Sequence, residues 1–280
     1  MTAENALQSI LLEKIKQDAL VLPALPKIAL QVRTIADDPE VNLSQITSVI
    51  SHDAALSLGI IKVANSVLLS RSIHVESVHQ AVTRIGLRQI KSIATAMAIE
   101  QVFVAENKIV SLYLKKTWET TIGVASVAIS LITLYLRSHK HSPLTLDTLT
   151  LAALVHNVGV LPILTEAEHH ANVFANPKFL KEAIGKLAVE ISTAVTKAWG
   201  FSDEFIEIVE SWSDLRVLPT EVHYLDFIRA GAIYQGVFKN ENTQAFLLKS
   251  YIKKGILPDD EFMKSEEFIE MVASVKAIFT

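Results

Sequence analysis

Apolar residues in this chain return at intervals of three and four nearly from end to end. Ile28, Val32 and Ile35 do so, then Leu87, Ile90, Ala94 and Met97, then Leu187, Ile191, Ala194 and Ala198. That period lines one face of an α-helix, whereas a half-buried strand would alternate, and sustained alternation is hard to find. The pattern predicts an all-α protein. With 280 residues, half of them hydrophobic and a fifth charged, the chain can bury a substantial core in one or two domains.

Helix boundaries follow from side chains able to accept hydrogen bonds from the free amides of a first turn. Asn42 with Gln45, Asp53, Ser77 with Gln80, Asp147, Ser202 and Ser265 are such positions. Gly86, Gly200 and Gly255 fall where helices would stop. Pro23 and Pro26 delimit the first helix of the series, and residues 1–21 read as a preceding amphipathic helix. Near the other end, Phe268, Val272, Val275 and Phe279 share one face of a helix over 265–279, which docks on the body by default. Polar stretches at 103–111 and 139–143 are the soft points between groups of helices.

Composition removes several function classes. Without cysteine there are no disulfides, thiolate metal sites or thiol nucleophiles, which fits a reducing cytoplasm. A mean hydropathy of +0.34 raises membrane insertion. The best candidate span, 120–136, carries Thr120, Thr121, Ser126, Ser130 and Thr133, and falls short of the ~20 mainly apolar residues a spanning helix needs. It reads as a buried helix. The first twenty residues mix charges into their apolar positions, unlike a secretory signal, so a cytoplasmic protein with no membrane partner is expected. Net charge is −4, with +2 over residues 1–150 and −6 over 151–280, so no nucleic acid is expected as partner. Neither a Gly-rich phosphate loop nor a GxSxG elbow occurs.

The one suggestive piece of chemistry is His156-Asn157, inside the apolar stretch LAALVHNVGVLPIL over 151–164. An aspartate after the histidine would give a cation one nitrogen and one anionic oxygen. Asparagine offers only a neutral carbonyl, which compensates poorly for dehydrating the metal.

LPALP over 22–26, Asp38-Pro39, the segment from Asp53 to Ala64-Asn65-Ser66, Ser77 with Ala81, and Ile85-Gly86-Leu87 together resemble the front half of HDOD domains. These are HD-related output domains of bacterial signalling proteins. The likeness continues through Trp118, the His156 segment, Trp199-Gly200-Phe201 and Ser202, covering roughly residues 20–235. The resemblance implies two contiguous helical lobes, 22–105 in front and 106–235 behind as a degenerate HD-like bundle, with 236–280 packed on the domain. It also implies a relation to metal-dependent phosphohydrolases. Carried over position by position, their ligands fall on Thr120, His156, Asn157, Ala188 and Trp212, with Asp226 as a further aspartate. One imidazole among these does not make a hydrolytic centre, which needs enough ligands to hold the cation and acidify a bound water.

Other constellations have commoner explanations. His169-His170 with Glu166 and Glu168 reads as a solvated connection between helices before it reads as a replacement metal site, and so do His139 and His141 beside Lys140. His156 reads as a buried, hydrogen-bonded histidine before it reads as a ligand. Arg84, Arg88 and Lys91, with Arg71 nearby, form a basic patch that can grip phosphate or an acidic partner, although a solvated helix face is the more frequent case. The expectation is a non-catalytic signalling or scaffold module without metal or cofactor. It would bind an unidentified signalling protein or small effector, with His156, Asn157, Arg84, Arg88 and Lys91 as candidate contacts. The rivals are a phosphohydrolase with an atypical site built from His156, Asp226 and His169 or His170, and a nucleotide sensor that reuses the old pocket.

Overall fold

Every regular element among the described residues is helical. The computed structural model describes residues 10, 11, 13, 14, 17, 26–66, 69, 74–99, 105–171 and 175–279, except for the side chain of Arg88. In chain order the helices are α1 (Lys27–Ala36), α2 (Leu43–Ser51), α3 (Ala54–Asn65), α4 (Val78–Ile85), α5 (Leu87–Ile99), α6 (Lys108–Ser138) and α7 (Leu146–Val155). They continue with α8 (Val160–His169), α9 (Pro177–Ala198), α10 (Asp203–Ser211), α11 (Tyr224–Tyr234), α12 (Glu241–Lys253) and α13 (Glu266–Lys276). Leu22 to Leu25 of LPALP, Pro23 included, and most of the expected helix over 1–21 lie outside the described residues.

The helix ends follow local side-chain chemistry. Asn42 and Gln45 form a reciprocal capping box, with Asn42 N donating to Gln45 Oε1 at 2.8 Å and Gln45 N to Asn42 Oδ1 at 3.0 Å. Asp53, Ser77 and Ser265 cap α3, α4 and α13 by accepting from Leu56, Gln80 and Phe268. Ser202 takes the N-cap position of α10 without a side-chain bond. Asp147 does not cap α7: Thr148 N donates to Thr145 Oγ1 at 3.3 Å, and Asp147 sits inside the first turn, where its charge faces the positive end of the helix dipole. Gly86 and Gly200 end their helices with φ of 88° and 69°, a backbone that side chains with a Cβ resist.

The chain forms two compact units, and each collects three stretches of sequence. One holds residues 1–25, 100–121 and 155–215; the other holds 26–99, 122–154 and 216–280. This differs from lobes made of contiguous chain. At 31 residues, α6 is about 46 Å long. It serves one unit up to Thr121 and the other from Ile122 onward. The terminal stretch 216–280 belongs with the front helices, and Phe268, Val272, Val275 and Phe279 are buried as expected.

Two stretches, Lys108–Ser138 and Leu146–His169, are long and apolar enough to cross a membrane, but 67% and 83% of their apolar windows are buried inside the protein. They are core helices. In α6, Ser126 and Ser130 are buried with their hydroxyls donating to carbonyls four residues back, which satisfies them without an outside partner.

Within the second unit α11 meets α6 backbone to backbone. A Cβ at Gly231 would lie 2.4 Å from Val124 O. Gly231→Ala should therefore destabilise the protein by about 2–3 kcal/mol in urea unfolding, because carbonyl backbone cannot swing aside. Alanine's better helix propensity alone, about 1 kcal/mol, would give the opposite sign.

Candidate functional site

The His156 region is built where α7 stops and α8 starts. Residues 156–159 form a tight turn in which Val158 N donates to Val155 O at 3.0 Å and Val160 N to Asn157 O at 3.2 Å. Gly159 has an ordinary helical φ of −64°, so it is not there for an unusual angle. It is there for space. A Cβ would fall 2.2 Å from Ala188 O and 2.3 Å from Ser192 N, and the Gly159 N–H donates to Ser192 Oγ at 2.8 Å. The turn therefore rests directly on the α9 backbone. His156 is buried beside it, its ring edge-on to the Trp212 indole with centroids 4.6 Å apart and planes at 80°.

These side chains do not fit a metal. Trp212, buried at the C-cap of α10, carries an indole N–H that donates and has no lone pair to give. Ala188 has no donor atom. The Thr120 hydroxyl is turned back onto its own helix, donating to Lys116 O at 2.9 Å. Asn157 is half-buried and supplies only a neutral amide. Among the described residues no group of three or more His, Cys, Asp or Glu side chains is placed to hold a metal ion.

The remaining candidates are engaged in structural work. Glu166 lies buried in α8, where Lys14 Nζ donates to both of its oxygens at 2.8 Å and His170 Nε2 stands 3.5 Å away. Glu168 accepts from the backbone amides of Glu106 and Asn107 just before α6, at 2.7 and 2.6 Å. Glu166 and Glu168 are thus engaged at the end of α8, while His169 and His170 are exposed. In the front helices, Asn65 clamps Val75 by accepting from its amide and donating to its carbonyl, both at 2.8 Å. Arg84 donates to Ala64 O at 3.2 Å and Asn65 Oδ1 at 3.4 Å. Lys91 pairs with Asp37. Arg71 and the Arg88 side chain lie outside the described residues.

The HDOD domain matches residues 22–214, more than two thirds of the chain. The chain belongs to the HDOD domain family. A crystal structure from Shewanella amazonensis SB2B, provisionally named a metal-dependent phosphohydrolase, is 44% identical and covers both chains in full with a TM-score of 0.94. An HDOD domain protein of unknown function from Geobacter sulfurreducens shares the fold at 19% identity, with TM-score 0.60 and coverage of 92% and 93%. A chain from Marinobacter aquaeolei VT8, provisionally named a signal transduction protein, does so at 20% identity and TM-score 0.59, covering 98% of this chain and 64% of that one. Among curated proteins, an uncharacterised protein of Treponema pallidum strain Nichols is 23% identical over 211 residues, 71% of this chain. The chain spans about two fifths of the length of that relative.

Asp226 lies beyond the HDOD match, in the second unit. Its carboxylate is buried against Lys254, whose Nζ stands 3.0 and 2.8 Å from the two oxygens and also donates to the carbonyls of Pro219 and Glu221. Asp226 Oδ2 further accepts from His223 N at 3.0 Å, closing a capping box at the start of α11. Arg229, fully buried one turn on, donates to Val217 O at 2.6 Å. Tyr251 Oη is buried without a hydrogen-bond partner among the described residues, and burial beside Asp226 pushes its phenol above the usual range. Sequence reading missed this network. The visible signal was a charged pair, Asp226 and Arg229, inside the apolar run YLDFIRAGAIY; Lys254 at the end of α12 carried none.

Lys254→Met should cost about 3–5 kcal/mol in chemical unfolding, since it leaves a buried carboxylate uncompensated. Adding Asp226→Asn to it should recover much of that loss, and independent, additive costs would mean the pair is not coupled.

Proposed function

We propose that this HDOD protein is a non-catalytic signal-transduction module that acts by binding a partner protein or small effector. The observation that carries this reading is the Trp212 indole packed edge-on against His156, at a position where the hydrolase pattern has an imidazole. Side chains there bury and brace the helix ends instead of polarising water. Ala188 and Ser192 belong to the same packed seam through Gly159. A signal would then be read as a change in helix packing, biased by whichever state the partner binds more tightly. The apolar stretches being core helices supports action away from a membrane.

The rival is a metal-dependent phosphohydrolase, favoured by the provisional name of the Shewanella relative at 44% identity over the full chain. It would require a donor set that Thr120, Asn157, Ala188 and Trp212 do not provide. Purified protein supplied with manganese, iron, nickel or zinc should turn over phosphomonoesters, nucleotides and cyclic dinucleotides no faster than His156→Ala does. Turnover that His156→Ala abolishes would overturn the non-catalytic reading.

A further inference from the structure

The α6 C-terminus opens into a cavity of about 530 Å³, lined by Tyr135, Ser138, His139, Lys140, His141, Ser142, Pro143, Glu221 and Val222. A cavity of this size holds a small metabolite. Its wall is ordered by local bonds. The His139 ring stacks on Tyr135 with centroids 4.0 Å apart and planes at 9°. His139 Nδ1 lies 2.9 Å from Tyr135 O, and since a carbonyl only accepts, Nδ1 carries the proton in this contact. Ser138 Oγ bonds back to the Leu134 and Tyr135 carbonyls at 3.4 and 3.3 Å, so this hydroxyl is engaged within the helix. On the facing side, Lys254 holds the Glu221 carbonyl at 3.1 Å while its charge is spent on Asp226.

What remains to meet a ligand is an ammonium, two imidazoles and two hydroxyls against a single carboxylate, Glu221. Among the described lining residues the fixed charges are one cation, Lys140, and one anion, Glu221, and Lys140 stands next to His141, whose ring can donate a hydrogen bond. None of the contacts described around His156 uses these groups. We infer that this cavity binds a small oxyanion-bearing molecule, with Lys140 and His141 holding the phosphate or carboxylate group and Glu221 as the like charge that limits its affinity.

This assignment makes two charge changes act in opposite directions. In NMR titrations of the full chain, inorganic phosphate should give saturable shifts at residues 138–142, with acetate as the carboxylate comparison. Lys140→Ala should weaken binding about threefold or more, and Glu221→Gln should strengthen it by about twofold, the scale of single exposed charge contacts. Both residues are exposed, so the variants should keep the wild-type melting temperature. Preference for phosphate over acetate, or the reverse, identifies which oxyanion the site takes. The inference falls if neither anion gives saturable shifts there, if Lys140→Ala binds as tightly as wild type, or if Glu221→Gln weakens binding, which would mark a cationic or zwitterionic ligand.

Discussion

Where α9 passes the turn after His156, the backbones come so close that one β-carbon at Gly159 would collide with Ala188 O and Ser192 N. That approach decides what the neighbouring positions can be. The facing residues must be small, like Ala188, or must satisfy themselves at short range, like Ser192 receiving the Gly159 N–H. His156 is closed in by the Trp212 indole. A similar contact recurs in the other unit between Gly231 and Val124. Tight seams of this kind gain dispersion contact and lose room for water, the opposite of what a hydrolytic centre needs.

Charged groups inside the fold obey the same demand for closure. Glu166 is answered by Lys14, and Asp226 by Lys254 together with the His223 amide. A buried carboxylate without a partner would be costly, so each has a cation within 3 Å. These carboxylates are thereby committed to holding segments distant in sequence, 152 and 28 residues apart, and are not presented to a ligand. In the front helices the Asn65 clamp on Val75 does the same with neutral groups, and the Arg84 guanidinium does so by donating to the neutral oxygens of Ala64 and Asn65.

Much of the fold was legible because helices are local. The period of Ile90 and Ala94, the caps at Asn42, Asp53, Ser77 and Ser265, and the stops at Gly86 and Gly200 depend on neighbours a few residues away. Tertiary partnerships were harder to read. Nothing near Lys254 in the sequence announces Asp226, and Glu166 beside two histidines suggested a solvated connection because its true partner, Lys14, is 152 residues away. The division into units has no local mark either: it falls between Thr121 and Ile122, inside the single 31-residue helix α6. That Asn157, Ala188 and Trp212 carry neither an imidazole nor a carboxylate needed only residue identity, once the family resemblance had pointed to those positions.

The most direct test of the central claim, that the His156 region is packed and does not coordinate, is elemental metal content. Untagged protein would be measured by mass spectrometry before and after incubation with manganese, iron, nickel and zinc. Well under one equivalent of any metal is expected, equal in wild type and His156→Ala. Near-stoichiometric, tightly held metal that disappears in His156→Ala would contradict it.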